Sequence, residues 1–197
     1  MSDKAELRVF FNFRSPYCYL ASKTLFSLID DFKVELLWRP LGGWDGRSPP
    51  DRAKTKMPLA RQDVARWARR MGIPCNPPPP TTDPTPAGLG SLLAERKGLL
   101  REYVIEVMRS EWATSCDIGQ PEILVPIAEK IGLDKSEFEL SLNDSDSKKQ
   151  LDDNWKEAQG LGVIGVPSFV IDDLIFWGND RMDFLEEHLM EQRLLKI

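Results

Sequence analysis

Histidine is almost absent: His188 is the one copy in 197 residues. A Ser–His–Asp triad, a Cys–His pair or a multi-histidine metal site would each rest on it. Chemistry here is therefore expected to run without histidine and without a metal. Cysteine is scarce as well. Cys18, Cys75 and Cys116 are odd in number and widely spaced, which argues against a disulfide framework or a cysteine zinc site and fits a reducing, cytoplasmic setting. No apolar run approaches the roughly 18 residues of a membrane span. The polar start, Met1-Ser2-Asp3-Lys4-Ala5-Glu6, leads into no signal-like apolar region. Positive charge is not in excess: 26 Lys+Arg against 31 Asp+Glu give a net charge of −5. That balance disfavours a nucleic-acid partner. What remains is an ordinary globular composition, 42% hydrophobic and 29% charged, at a length suited to one domain.

Leu7 to Phe13 reads as a strand, with Val9, Phe11 and Phe13 alternating against Arg8 and Asn12. Tyr17, Leu20, Ala21, Thr24, Leu25 and Leu28 then recur at helical spacing, with Ser15 as N-cap and Pro16 as first helical residue. Val34 to Arg39 is a second strand closed by Pro40, so the chain opens with a βαβ unit and a parallel pair.

The middle is different. Residues 42 to 60 are rich in Gly, Pro and charge and read as a loop. Val64, Trp67, Ala68 and Met71 make one face of a short helix, with Arg61, Arg66, Arg69 and Arg70 largely outside it. Seven of the 15 prolines fall between residues 74 and 86, an extended connection. Ser91 to about Trp112 reads as one long helix, and Pro121 to Ile131 as another that Pro126 should kink or shorten. Asp134 and Glu137 have capping-box spacing ahead of a helix to about Leu142, and Asp146 to Leu161 is helical. The end returns to β: Pro167 to Ile171, a turn at Asp172-Asp173, and Leu174 to Trp177 form a hairpin before a helix from Met182 to Leu195. This is a thioredoxin-like α/β order with an all-helical insertion. Residues 1–44 and 163–197 form the thioredoxin-like part and 45–162 the insertion.

Ser15-Pro16-Tyr17-Cys18 stands where a thioredoxin-like fold carries its Cys-x-x-Cys pair. Free N–H groups and the positive end of a helix favour an anion there, thiolate included. With serine first, Ser15 and Cys18 cannot form a dithiol couple. A serine hydroxyl can instead donate a hydrogen bond to a bound thiolate. A thiol of pKa about 8.5 is only about 3% ionised at pH 7, and lowering it by about 2 units requires about 2.7 kcal/mol. A charge-assisted hydrogen bond plus a helix terminus is of that size. In isolation Ser15 reads as a helix cap, Cys18 as a small buried residue and Pro167 as a strand-start proline. In the thioredoxin arrangement the Val166–Pro167 bond is cis and faces the first helix, so Val166 can pair with a peptide-like ligand. Asn179 and Asp180 read either as caps or as the seat of an α-amino acid end, with Asp180 taking the ammonium. Trp67, Trp112 and the arginines near Trp67 are candidates to line an aromatic-carboxylate pocket, against the simpler reading of a solvated arginine face.

Three segments together resemble 2-hydroxychromene-2-carboxylate isomerases, relatives of kappa-class glutathione transferases in the DsbA-like branch of the thioredoxin superfamily. They are Phe11-x-Phe13-x-Ser15-Pro16-Tyr17-x-Tyr19-Leu20, Gly165-Val166-Pro167 and Trp177-Gly178-Asn179-Asp180-Arg181. The resemblance implies a glutathione-dependent enzyme acting on conjugated intermediates of aromatic breakdown, with no nucleic-acid or membrane partner, and it points to a homodimer. It places the glutathione sulfur at Ser15 and Pro16, the peptide at Val166 and Pro167, and the γ-glutamyl end at Asn179, Asp180 and Arg181. Lys54 falls in a segment similar to the family's and is assigned to glutathione or substrate. Glutathione would act as a nucleophile that adds to a double bond, permits rotation and leaves unconsumed. Cys18 and Pro126 depart from the family pattern. A transferase or peroxidase that consumes glutathione, and a non-catalytic binding module in which Ser15 is only a cap, remain open. Dithiol oxidoreduction is disfavoured by Ser15.

Overall fold

A computed structural model describes residues 4–48 and 50–196. Strand β1 (Ala5–Phe11), helices α1 (Pro16–Ala21) and α2 (Leu25–Asp31), and strand β2 (Val34–Pro40) open the chain. Helices α3 (Pro50–Met71), α4 (Thr85–Arg96), α5 (Leu100–Thr114), α6 (Pro121–Ile131), α7 (Lys135–Ser141) and α8 (Ser145–Gly160) follow without interruption by strand. Strands β3 (Ser168–Ile171) and β4 (Leu174–Trp177), a 3-10 turn at Asn179–Arg181 and helix α9 (Met182–Glu191) close it. The sheet order is β2-β1-β3-β4. Strand β1 runs parallel to β2 and antiparallel to β3, which forms a hairpin with β4. The fold is thioredoxin-like, α/β, with the helical block inserted between β2 and β3.

The core sits where the block meets the sheet. Phe10, Phe11, Phe13, Tyr19, Trp38, Tyr103, Phe138 and Phe169 are all essentially inaccessible. Phe11 packs on Trp38 with centroids 4.9 Å apart, and the Trp38 indole N–H donates to Ser91 Oγ at 3.0 Å, tying β2 to α4. An indole buried this deeply needs such an acceptor. Arg8 and Arg39 both donate to Glu157, at 3.1 and 2.6 Å, so α8 is fastened across the two parallel strands.

Several elements differ from the sequence expectation. Strand β1 alternates as expected through Leu7, Arg8 and Val9, but alternation fails from Phe10, which is as buried as Val9 and Phe11; Asn12, just past the strand, is fully buried rather than outward. The first helix is two, α1 and α2, broken at Ser22–Thr24. The segment expected as a loop over 42–60 turns helical at Pro50, and α3 runs through Pro58. A proline in the first turn is pre-set for helix, and here it starts one rather than ending a loop. The single helix expected over 91–112 is α4 and α5, separated at Gly98, whose φ of +71° belongs to a helix stop. Helix α4 also begins inside the proline-rich stretch, at Thr85. Helix α6 spans Pro121–Ile131 despite Pro126, and α9 ends at Glu191, short of Leu195. Asp134 caps α7 as expected, accepting from the Glu137 N–H at 2.9 Å.

Candidate functional site

Ser15 ends the turn between β1 and α1. Its N–H donates to Asn12 O at 2.9 Å, and its extended backbone places Oγ to accept from the Cys18 N–H at 3.4 Å. Pro16 takes the first helical position, as expected. The Ser15 hydroxyl also donates to Val166 O at 3.4 Å, across from a cis Val166–Pro167 bond. Ser15 is only 6% exposed. Helix α1 has just six residues, so its dipole is short, and the hydroxyl carries more of any anion stabilisation than a full-length helix would require.

The turn is held by Asn12. Its amide nitrogen donates to Asp45 O at 3.0 Å, and its Oδ1 accepts from the Arg14 N–H at 3.0 Å. Gly46, at φ +69°, lies so close to Val166 that a Cβ there would stand 2.7 Å from Val166 Cγ1. The loop after β2 is thus stitched to both sides of the Ser15–Val166 pair. Asn12 escapes sequence reasoning because a polar residue at the end of a strand looks solvent-facing.

The third segment arrives through the hairpin. The Gly178 N–H donates to Pro167 O at 2.9 Å, which anchors the turn beginning at Asn179 to the cis-proline. Asn179 is half-buried; Asp180 and Arg181 are exposed and pair with each other. Tyr17 joins from α1: its hydroxyl donates to Asp63 Oδ2 on α3 at 3.1 Å. Burial, then Asp63, and more weakly Asp180, push the Tyr17 phenol up to about 12, so it stays a neutral donor. Ser15, Pro16, Val166, Pro167, Asn179 and Asp180 are therefore gathered in one place, with Tyr17 and Asp63 beside them. Asp63 was not singled out in the sequence, where it is one acid among arginines.

Other candidates stand apart. Lys54 is exposed on α3 and makes no hydrogen bond or ion pair with this group among the described residues. Arg61, Arg66, Arg69 and Arg70 are exposed, while Trp112 is buried, stacks on Tyr19 and donates to Phe13 O at 3.3 Å. Trp112 is core rather than lining. Cys18 is fully buried, and that burial pushes its thiol up to about 12, which leaves it a packed, un-ionised residue.

Behind Ser15 lies a charged cluster that sequence reading missed. Glu111, on α5, is completely buried, 3.8 Å from Arg14 Nε. Arg14 is nearly buried too, stacks over Trp112 at 5.4 Å and donates to Pro79 O at 3.1 Å. Burial pushes the Glu111 carboxyl well above its ordinary range, opposed by the nearby Arg14 and Arg47 charges. Arg47, half-buried, is pushed down to about 10, first by burial and then by Arg14, and remains a cation at neutral pH.

The chain matches the DsbA-like thioredoxin domain over residues 6–190. Its curated relatives include a 2-hydroxychromene-2-carboxylate isomerase of Pseudomonas putida, 28% identical over 185 residues and 90% of each chain. One of Sphingobium xenophagum bearing the same name is 26% identical, covering 92% of this chain and 96% of the relative. A solved structure of a 2-hydroxychromene-2-carboxylate isomerase superposes with a TM-score of 0.82 at 25% identity, over 95% of both chains. A probable DsbA oxidoreductase of Streptomyces coelicolor shares the fold at a TM-score of 0.75 and 20% identity. With the match running through β1, the whole helical block and the closing hairpin, this chain belongs to the DsbA-like thioredoxin domain family.

Proposed function

We propose that the protein is a glutathione-dependent isomerase of the 2-hydroxychromene-2-carboxylate isomerase type, acting on conjugated aromatic carboxylates. The observation that carries this reading is the Ser15 hydroxyl, 3.4 Å from Val166 O, in a site where a dithiol cannot form. The relatives that bear this name, alike over most of both chains, support it.

The residues present fit a bound tripeptide. Among the described residues the Val166 N–H donates to no backbone carbonyl, which leaves a peptide edge open beside the cis-proline. Asp180 offers a carboxylate for an ammonium, and Ser15 can turn its proton from Val166 O toward a sulfur anion. When bound, glutathione supplies a thiol nucleophile that can add reversibly to a conjugated double bond. Ser15 lowers the cost of ionising that thiol by donating a charge-assisted hydrogen bond, worth about 1.5–3 kcal/mol. Tyr17, held neutral by burial and by Asp63, stands near Asp180 as a fixed donor. Cys18 takes no part, since its thiol is buried and un-ionised.

Calorimetric titration with reduced glutathione, in the wild type and Ser15→Ala at two pH values, tests the reading. Proton release on binding near neutral pH is expected in the wild type and is lost in Ser15→Ala. Turnover of a conjugated aromatic carboxylate should leave glutathione unconsumed; a glutathione adduct as product would instead identify a transferase. Absence of binding at millimolar glutathione would refute the site assignment.

A further inference from the structure

The loop after β2 carries a cation without a matching anion. Asn12 fixes the loop through Asp45 O, and Gly46 presses against Val166, so Arg47 leaves the backbone next to the residue that faces Ser15. Its guanidinium lies 4.1 Å from the Trp44 ring centroid and donates to its own loop, at Gly43 O, 3.3 Å away. Among the described residues it forms no ion pair. The buried carboxylate of this region, Glu111, stands 3.8 Å from Arg14, not paired to Arg47. Among the described residues, neither Glu111 oxygen nor Arg14 Nε has a hydrogen-bond partner. Asp83 and Asp117 face the same cluster from more exposed positions. Two guanidiniums thus share one buried carboxyl group, and Arg47 is the one that does not pair with it.

A half-buried guanidinium gains more from an added anion than an exposed one, because less water screens the pair. Its planar fork suits a carboxylate held by two parallel hydrogen bonds. The neighbouring Trp44 ring is half exposed and offers an aromatic face on the same loop. We propose that Arg47 is a specificity-determining residue, recognising the carboxylate of an aromatic substrate brought to Ser15. This rests on the isomerase reading above, and it goes further by naming the group that selects an anionic substrate over a neutral one.

The test uses the full chain saturated with reduced glutathione, whose affinity is measured first. Cinnamate and cinnamamide, alike in shape but different in charge, are then titrated calorimetrically into the wild type, Arg47→Gln and Arg47→Lys. The wild type should prefer cinnamate by roughly tenfold or more, the fold-change of one charge-assisted hydrogen bond. Arg47→Gln should bind both compounds equally, with cinnamamide and glutathione affinities unchanged, and Arg47→Lys should restore part of the preference. A cinnamate preference that survives Arg47→Gln overturns the proposal. So does an equal loss of glutathione affinity in that variant, since the anion served would then be glutathione's own carboxylate. If the wild type binds no glutathione, the isomerase reading falls by itself. The same titrations on the unliganded protein then decide whether Arg47 selects carboxylates: an Arg47-dependent preference sustains that role and its absence overturns it.

Discussion

Replacing Gly46 by alanine should damage the site through packing, and the size of the effect follows from the geometry. At φ +69° an L side chain is strained, at a cost of about 1–2 kcal/mol. The new Cβ would also stand 2.7 Å from Val166 Cγ1 and 2.8 Å from Leu41 Cδ1. Leu41 is fully buried and Val166 nearly so, and valine is stiff at χ1, so neither can step aside freely. Overpacking of this kind adds about 1–3 kcal/mol. The total is about 2–5 kcal/mol. Gly43 provides the control: its φ is +44°, yet nothing lies within 4 Å of its would-be Cβ, so Gly43→Ala should cost about 1–2 kcal/mol. Urea unfolding followed by tryptophan fluorescence measures both. At a slope of about 3 kcal/mol/M, Gly46→Ala should lower the midpoint by roughly 1 M, clearly more than the control. Val166→Ala removes the closer of the two obstacles, so the double variant should lose less than the sum of the singles. Equal costs for Gly46→Ala and Gly43→Ala, or strict additivity with Val166→Ala, would refute the claim that this loop is pressed against the cis-proline segment.

Three further outcomes are expected. Ser15→Ala removes a long helix-cap hydrogen bond and should cost no more than about 1 kcal/mol, so a circular-dichroism melt should separate loss of glutathione binding from unfolding. Burial raises the folded-state pKa of Glu111, so the native state holds a proton that the unfolded chain has released. Wild-type stability should therefore decline relative to Glu111→Gln as pH rises above the ordinary carboxyl range through the raised value, and a difference growing in the opposite direction refutes the assignment. A thiol reagent applied to the native protein at pH 8 should modify the half-buried Cys75 and Cys116 and spare Cys18 until denaturant is added; rapid labelling of Cys18 would show that it is neither buried nor un-ionised.

Local signals in the sequence were strong where one residue governs one geometry. Ser15-Pro16 marked the start of α1, Asp134 the cap of α7, and Asp172-Asp173 the turn between β3 and β4, and each is as expected. The proline-rich segment forms neither helix nor strand from Ile73 to Pro84, but it is not extended throughout: it turns at Pro80-Thr81, where the Thr82 N–H donates to Pro79 O at 3.2 Å. Reading failed where context outweighs local preference. Pro50 and Pro58 looked like loop residues, yet a proline that opens a helix meets no penalty and an interior one can be outweighed by the packing of Val64 and Ala68. Gly98 split a helix whose apolar spacing looked continuous.

The sequence by itself determined the order of the strands around a central helical block, the absence of a dithiol at Ser15 and Cys18, and the three short segments that meet in the candidate site. These depend on residue type and short spacing, which the chain carries before it folds. Only the tertiary structure decided that Asn12 faces inward to pin the loop after β2, that Tyr17 meets Asp63, and that Arg14, Arg47 and Glu111 share one buried region. Arg47 and Glu111 stand 64 positions apart in the chain. Whether a charged residue is solvated or desolvated depends on what covers it, and that is settled by packing between distant segments.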